Sequence, residues 1–64
     1  MKKTAVYART PEHEELLFET IESHDIEIRI MRSRDALGDV LYIIYGSQKE
    51  IDRFISIYEG MKQQ

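Results

Sequence analysis

Two helix-start signals, Thr10-Pro11 and Ser47-Gln48-Lys49-Glu50, each follow a short β-rich segment and divide the 64-residue chain into strand, helix, strand, strand and helix. Thr10 suits an N-cap, because its hydroxyl can accept one of the unpaired N–H groups of a first turn. Pro11 then stands at the first helical position, where a missing N–H costs nothing. Ser47 and Glu50 have the spacing of a capping box, in which each side chain takes up an orphan N–H near the other. Element order therefore emerges from local hydrogen-bonding chemistry before any packing is considered.

The segments between these signals have distinct periodicities. Residues 4–9 (TAVYAR) predict a first strand with Val6 and Ala8 on one side and Ala5, Tyr7 and Arg9 on the other. The first helix is expected from Pro11 to about Ser23, carrying Leu17, Phe18 and Ile21 as its apolar stripe and Leu16 at the margin. Its stop signal is weak, and His24-Asp25 supplies a short turn. Residues 26–32 (IEIRIMR) set Ile26, Ile28 and Ile30 against Glu27, Arg29 and Met31, as in an edge strand with one buried face. Residues 33–38 (SRDALG) predict the hairpin loop, and residues 39–45 (DVLYIIY) return as a strand apolar on both sides. In the last helix Ile51, Phe54, Ile55 and Tyr58 follow the i, i+3, i+4, i+7 pattern, Gly60 is expected to fray the end, and residues 61–64 form a tail.

Connection rules convert this order into a topology. A helical connection makes the first two strands parallel through a right-handed crossover. The hairpin makes the third antiparallel to the second, and two-sided apolarity places it between the others. The expectation is one domain over residues 1–64: an α+β, two-layer βαββα sandwich with a three-stranded antiparallel sheet in order 1-3-2 and two helices on one face. This element order resembles a truncated ferredoxin-like βαββαβ arrangement lacking its last strand, as in ACT-like regulatory domains and other small bacterial modules. The resemblance spans nearly the whole chain and implies a regulatory role. Ligand-binding ACT domains carry a glycine-bearing turn between the first strand and helix. Here that place is Arg9-Thr10-Pro11, a departure from that pattern; sensing of a small ligand by an oligomer, with pockets formed between subunits near Arg9-Thr10 and the hairpin loop, is therefore the alternative reading.

The helix-free sheet face is the candidate interaction surface. If Arg32 lies opposite Asp39, then Leu41, Ile43 and Tyr45 join the isoleucine ladder in the core. Tyr7, Arg29, Met31, Val40, Tyr42 and Ile44 then form an exposed stripe, large for a monomer. The edge of the first strand, with Ala5 and Ala8 and no proline, is a second possible contact. Tyr7 and Tyr42 with neighbouring arginines also resemble the stacking platform of single-strand RNA readers. An acidic balance of −3 and the absence of the usual glycine- and phenylalanine-rich strand motif disfavour nucleic acid.

Other chemistries lack their residues. With no cysteine there are no disulfides or thiolate sites, and an intracellular, cytoplasmic setting is expected. Met1-Lys2-Lys3 precedes too short an apolar run for a signal peptide, and no segment approaches a membrane span. The three glycines, Gly38, Gly46 and Gly60, are scattered, so no phosphate-cradling loop exists. His13 and His24 stand at opposite ends of the first helix, about 16 Å apart at 1.5 Å rise per residue; no metal or other cofactor is expected. Ser23-His24-Asp25 has triad residue types, but adjacent residues do not converge as a triad requires. Residues 12–27 hold seven acids and neither lysine nor arginine, whereas Arg29, Arg32 and Arg34 follow, giving a dipolar surface suited to solvation or to a charged partner. The sequence thus points to a non-enzymatic protein-interaction or regulatory module that self-associates through its sheet or binds another protein.

Overall fold

The computed structural model describes residues 1–63, arranged as β1 (Lys2–Tyr7), α1 (Pro11–Ser23), β2 (Ile28–Arg34), β3 (Val40–Gly46) and α2 (Gln48–Lys62). The sheet has order β1-β3-β2 with both pairings antiparallel, and both helices cover one face. The helix starts fall where their residues predict, but at α2 only half of the expected capping box is made, the Glu50 carboxylate accepting from Arg53 at 3.4 Å and not from the Ser47 N–H. The Thr10 hydroxyl accepts from the His13 N–H at 3.1 Å and the Ser47 hydroxyl from the Glu50 N–H at 3.2 Å.

The end of α1 explains its weak sequence signal. The Ile26 N–H donates to the Ile21 carbonyl and the Asp25 N–H to the Glu22 carbonyl, while Asp25 has φ 49°. This is the double hydrogen-bond pattern of a Schellman cap, with aspartate in the left-handed position that glycine usually fills. Ile26, 6% exposed, serves as the apolar residue of that cap, and β2 begins at Ile28, two residues later than periodicity predicts. β1 begins earlier than expected, at Lys2, and ends at Tyr7, although the Ala8 N–H continues the ladder to the Val40 carbonyl.

The largest departure is the face of β3. Asp35, Ala36, Leu37 and Gly38 form a tight turn closed by Gly38 N–H to Asp35 C=O at 3.0 Å, with Gly38 at φ 87°. The Asp35 Oδ1 accepts from the N–H groups of Leu37 and Asp39. A three-residue hairpin loop with a left-handed glycine results. It pairs Arg34 with Val40 and Arg32 with Tyr42. Arg32 thus lies opposite Tyr42 and not Asp39, an offset of three residues (42 − 39). An odd offset turns every β3 side chain to the other face. Val40, Tyr42 and Ile44 are consequently core residues beneath the helices, and Leu41, Ile43 and Tyr45 occupy the helix-free face.

The core combines Val6, Tyr42 and Ile44 from the sheet with Leu17, Ile51, Phe54 and Tyr58 from the helices. Thr20, fully buried where the sequence suggested Phe18, satisfies its hydroxyl on the Leu16 carbonyl at 2.8 Å and reaches Met61 Sδ at 3.5 Å. Phe18 is 47% exposed and stands perpendicular to the Tyr42 ring, with centroids 5.6 Å apart. Gly60 lies inside α2 and does not end it; residues 61 and 62 are helical, and the last residue of the expected tail, Gln64, lies outside the described residues. Gly46 stands at a close approach, where a Cβ would lie 3.0 Å from Ile28 Cγ2 and 3.3 Å from the Glu27 carbonyl oxygen, so that a larger residue needs these neighbours to shift. The helices are also tied by Arg53, which donates to the His24 carbonyl at the end of α1 at 2.7 Å.

The register makes a sharp prediction. Ile44→Asp places a carboxylate in the core and abolishes folding, whereas Ile43→Asp leaves the circular dichroism spectrum folded. The opposite result would restore the inverted face. Phe54→Ala, at a fully buried ring stacked on Tyr58, lowers stability in urea by about 3–5 kcal/mol.

Candidate interaction surface

Three transverse rows make up the helix-free face. Lys3, Tyr45 and Arg29 form the row near Gly46, Ala5, Ile43 and Met31 the middle row, and Tyr7, Leu41 and Ser33 the row near the hairpin. Of the residues that the sequence assigned to this surface, Tyr7, Arg29 and Met31 are here, and Val40, Tyr42 and Ile44 are not. Ile43, Tyr45, Leu41 and Lys3 take their place. The signal that identifies them is Asp35 with Gly38 three positions on, a turn signature that sets the hairpin length and so the parity of β3.

Tyr7 is held rather than free. Its hydroxyl donates to Asp35 Oδ2 at 2.9 Å, from β1 across β3 to the hairpin. The ring thereby shields Leu41, which is only 9% exposed although no helix covers it. The Arg9 guanidinium stacks 3.8 Å from the Tyr7 ring centroid and pairs with Asp39 at 3.3 Å. The hydrogen bond to Asp35 is the main cause that raises the Tyr7 pKa, and the same bond is the main cause that lowers that of Asp35. This end of the face is a closed polar network. Arg9 meets the hairpin at Asp39 within the chain.

The other two rows are open. Met31 is 52% exposed and Ile43 and Tyr45 are partly so, beside a shallow depression of about 490 Å3 that Lys3, Ala5, Met31, Ser33, Ile43 and Tyr45 help to line. Lys3 and Arg29 flank Tyr45 and make no ion pair among the described residues. Tyr7 and Tyr42 do not form a joint stacking surface, because Tyr42 faces the helices.

Tyr42 belongs to a second polar network. Its hydroxyl donates to Glu14 Oε1 at 2.7 Å, and Arg32 Nε donates to the same oxygen at 2.9 Å. These two bonds, that of Arg32 first, hold the Glu14 carboxyl below the usual carboxylate range. Burial, reinforced by Glu14, raises the Tyr42 phenol. The exposed glutamates of α1, Glu12, Glu15, Glu19 and Glu22, form a solvated acidic stripe outside this network.

The free edges differ in a way that bears on partners. The Ala8 to Val40 bond puts Ala8 in a hydrogen-bonded pair, so alternation turns the backbone groups of Lys3, Ala5 and Tyr7 outward. The Tyr7 carbonyl on that edge accepts from the Tyr58 hydroxyl at 2.8 Å and from Lys62 Nζ at 3.4 Å. α2 therefore occupies one end of the β1 edge and leaves only the backbone of Lys3 and Ala5 for an added strand. The β2 edge carries the bulky, exposed Arg32 and Arg34, which discourage pairing. No helix is long and apolar enough to cross a membrane, and among the described residues no group of three or more metal-ligand types is gathered.

The pKa directions define two pH limits. Glu14 has a depressed folded pKa, so its contribution is present above the ordinary 4.5 and is lost as pH falls through the depressed value. Glu14→Gln therefore flattens the loss of urea stability between pH 5 and 3, leaving the share of Asp35, which has the same sign; an unchanged acid slope contradicts the network. At the alkaline end burial pushes Tyr58 up to about 12 from 10.0. Its stabilising contribution is complete below pH 10 and lost as pH rises through about 12. Phenolate absorbance should show Tyr58 ionising only as the fold is lost.

Comparisons with protein-family models, curated proteins and solved structures return no match to this chain, and the geometry of the site is what a functional reading rests on.

Proposed function

We propose that the chain is a non-enzymatic interaction or regulatory module and that the helix-free sheet face is its contact surface, used for self-association. The observation that carries this reading is the middle row Ala5, Ile43 and Met31 with Tyr45 beside it: apolar, partly exposed, and bordered by Lys3 and Arg29, charged groups without ion-pair partners among the described residues. An apolar centre inside a polar border is the ordinary anatomy of a protein contact. The partly occupied β1 edge, with only the backbone of Lys3 and Ala5 left to pair, favours the face over edge-to-edge pairing. Association through a surface of this size is weak and belongs at high protein concentration. Burying this face in a second copy also adds apolar burial to a domain near the lower size limit for a stable single core.

A single-stranded nucleic acid is the second reading, favoured by one observation: the Lys3–Tyr45–Arg29 row sets an aromatic ring between two cations on the central strand. Sedimentation and titration separate the two. The wild-type chain is expected to rise above monomer mass at hundreds of micromolar, and Ile43→Glu is expected to stay folded and monomeric. A wild-type monomer at millimolar concentration overturns self-association. Saturable micromolar binding of labelled single-stranded oligonucleotides at low salt, abolished by Tyr45→Ala, would put the second reading first.

A further inference from the structure

The two ends of the helix-free face carry opposite net charge. Near Gly46 the groups on this side are Lys3 and Arg29 with Glu27, and near the hairpin they are Asp35 and Asp39 with Arg9. The balance is +1 at one end (2 − 1) and −1 at the other (1 − 2). The cations at the first end have no ion-pair partner among the described residues, whereas Arg9 at the second end is already committed to Asp39 and the Tyr7 ring. Between the ends lies the uncharged row Ala5, Ile43 and Met31.

Two copies can place these faces together about a two-fold axis in only two simple ways. An axis along the strands keeps each end over the same end of the partner, so Lys3 lies over the partner's Arg29 and both acidic hairpins meet. An axis across the strands reverses one copy. Each strand then lies antiparallel over its own copy, Arg29 approaches the hairpin carrying Asp35, Lys3 lies over Tyr7 and the mutually paired Arg9 and Asp39, Tyr45 meets the Tyr7 ring that shields Leu41, and the middle row sits on the axis. Like charges facing each other oppose association, and complementary ends promote it and define its orientation. The face measures about 14 Å across three strands and about 20 Å along three rows, a footprint of roughly 300 Å2. That is well under the ~800 Å2 each partner buries in a standard stable interface, so the orientation is decided by terms as small as rim charges.

We infer that the chain forms a weak, reversible two-fold dimer in which the helix-free sheets pack face to face with strands antiparallel, the Lys3–Tyr45–Arg29 row of each protomer over the Tyr7–Leu41–Ser33 row and Asp35 of the other. This rests on the self-association reading above and adds its orientation. Isologous contact of this kind closes on itself at two copies, because the same patch is used on both sides.

The absence of native cysteine permits a site-specific test. A nitroxide on Ala36→Cys, exposed at the hairpin tip, is mixed as unlabelled-isotope protein with 15N wild type, so that all broadening is intermolecular. The expected result is loss of the Lys3, Arg29 and Tyr45 amide signals. Loss of the hairpin signals of residues 37–39 instead reveals the parallel orientation and overturns this inference while the contact face stands. Broadening confined to the helices or to the β1 edge overturns both. Charge reversal is the second readout. The double variant Lys3→Glu with Arg29→Glu weakens self-association roughly fivefold or more in the antiparallel arrangement, and mixing it with wild type yields no preferred mixed dimer. Preferential mixed-dimer formation marks the parallel arrangement and overturns the inference, as does unchanged association of the double variant. Monomeric wild type at millimolar concentration removes the underlying reading itself.

Discussion

The Asp35 carboxylate is the group on which the rest of the molecule depends. One oxygen holds the hairpin turn through the N–H groups of Leu37 and Asp39, and the other receives the Tyr7 hydroxyl from the opposite edge of the sheet. A single side chain thus sets the loop length between β2 and β3 and fastens β1 to that loop. Because side chains alternate along a strand, loop length is also parity. With this turn, Ile44 and Tyr42 enter the core. A loop one residue longer or shorter at fixed β2 would exchange them for Ile43 and Leu41.

β3 can tolerate either parity in composition, since both of its sides are apolar, and the choice between them is made by the groups around it. Tyr42 on the helix side finds Glu14 for its hydroxyl and Phe18 as a perpendicular ring partner. Ile44 sits opposite Thr4 and Ile30 within the packed layer. Tyr45 on the same side would need a buried partner for its phenol, and an unpaired buried hydroxyl costs on the order of 1–3 kcal/mol. On the open face it needs none. Polar satisfaction and turn geometry agree, and every buried side-chain nitrogen or oxygen among the described residues has a partner.

The same arrangement leaves one face of the sheet without a helix over it. Two helices are enough to cover one side of a three-stranded sheet, so on the other side only Leu41 is screened, by Tyr7, and the remaining rows stay open. Tyrosine hydroxyls do much of the joining. Tyr7 links β1 to the hairpin, Tyr42 links β3 to α1, and Tyr58 links α2 to the Tyr7 carbonyl. That last bond also removes an acceptor from the β1 edge. The fold thereby protects an edge while it exposes a face.

Residue chemistry alone determined the element order, both helix starts and the β1-β3-β2 arrangement, because caps, hydrophobic period and connection handedness are local or topological effects. It also placed Tyr7, Arg29 and Met31 on the open side, since β1 and β2 each have one clearly apolar side. It left the end of α1 indistinct, because Asp25 takes the left-handed position in place of glycine. Val40, Tyr42 and Ile44 against Leu41, Ile43 and Tyr45 was a choice between two equally apolar sets, and strand periodicity contains no term that separates them. Only the tertiary structure decided it, through a turn closed on Asp35 and a buried phenol that needed Glu14, and with that decision it fixed which residues face away from the helices.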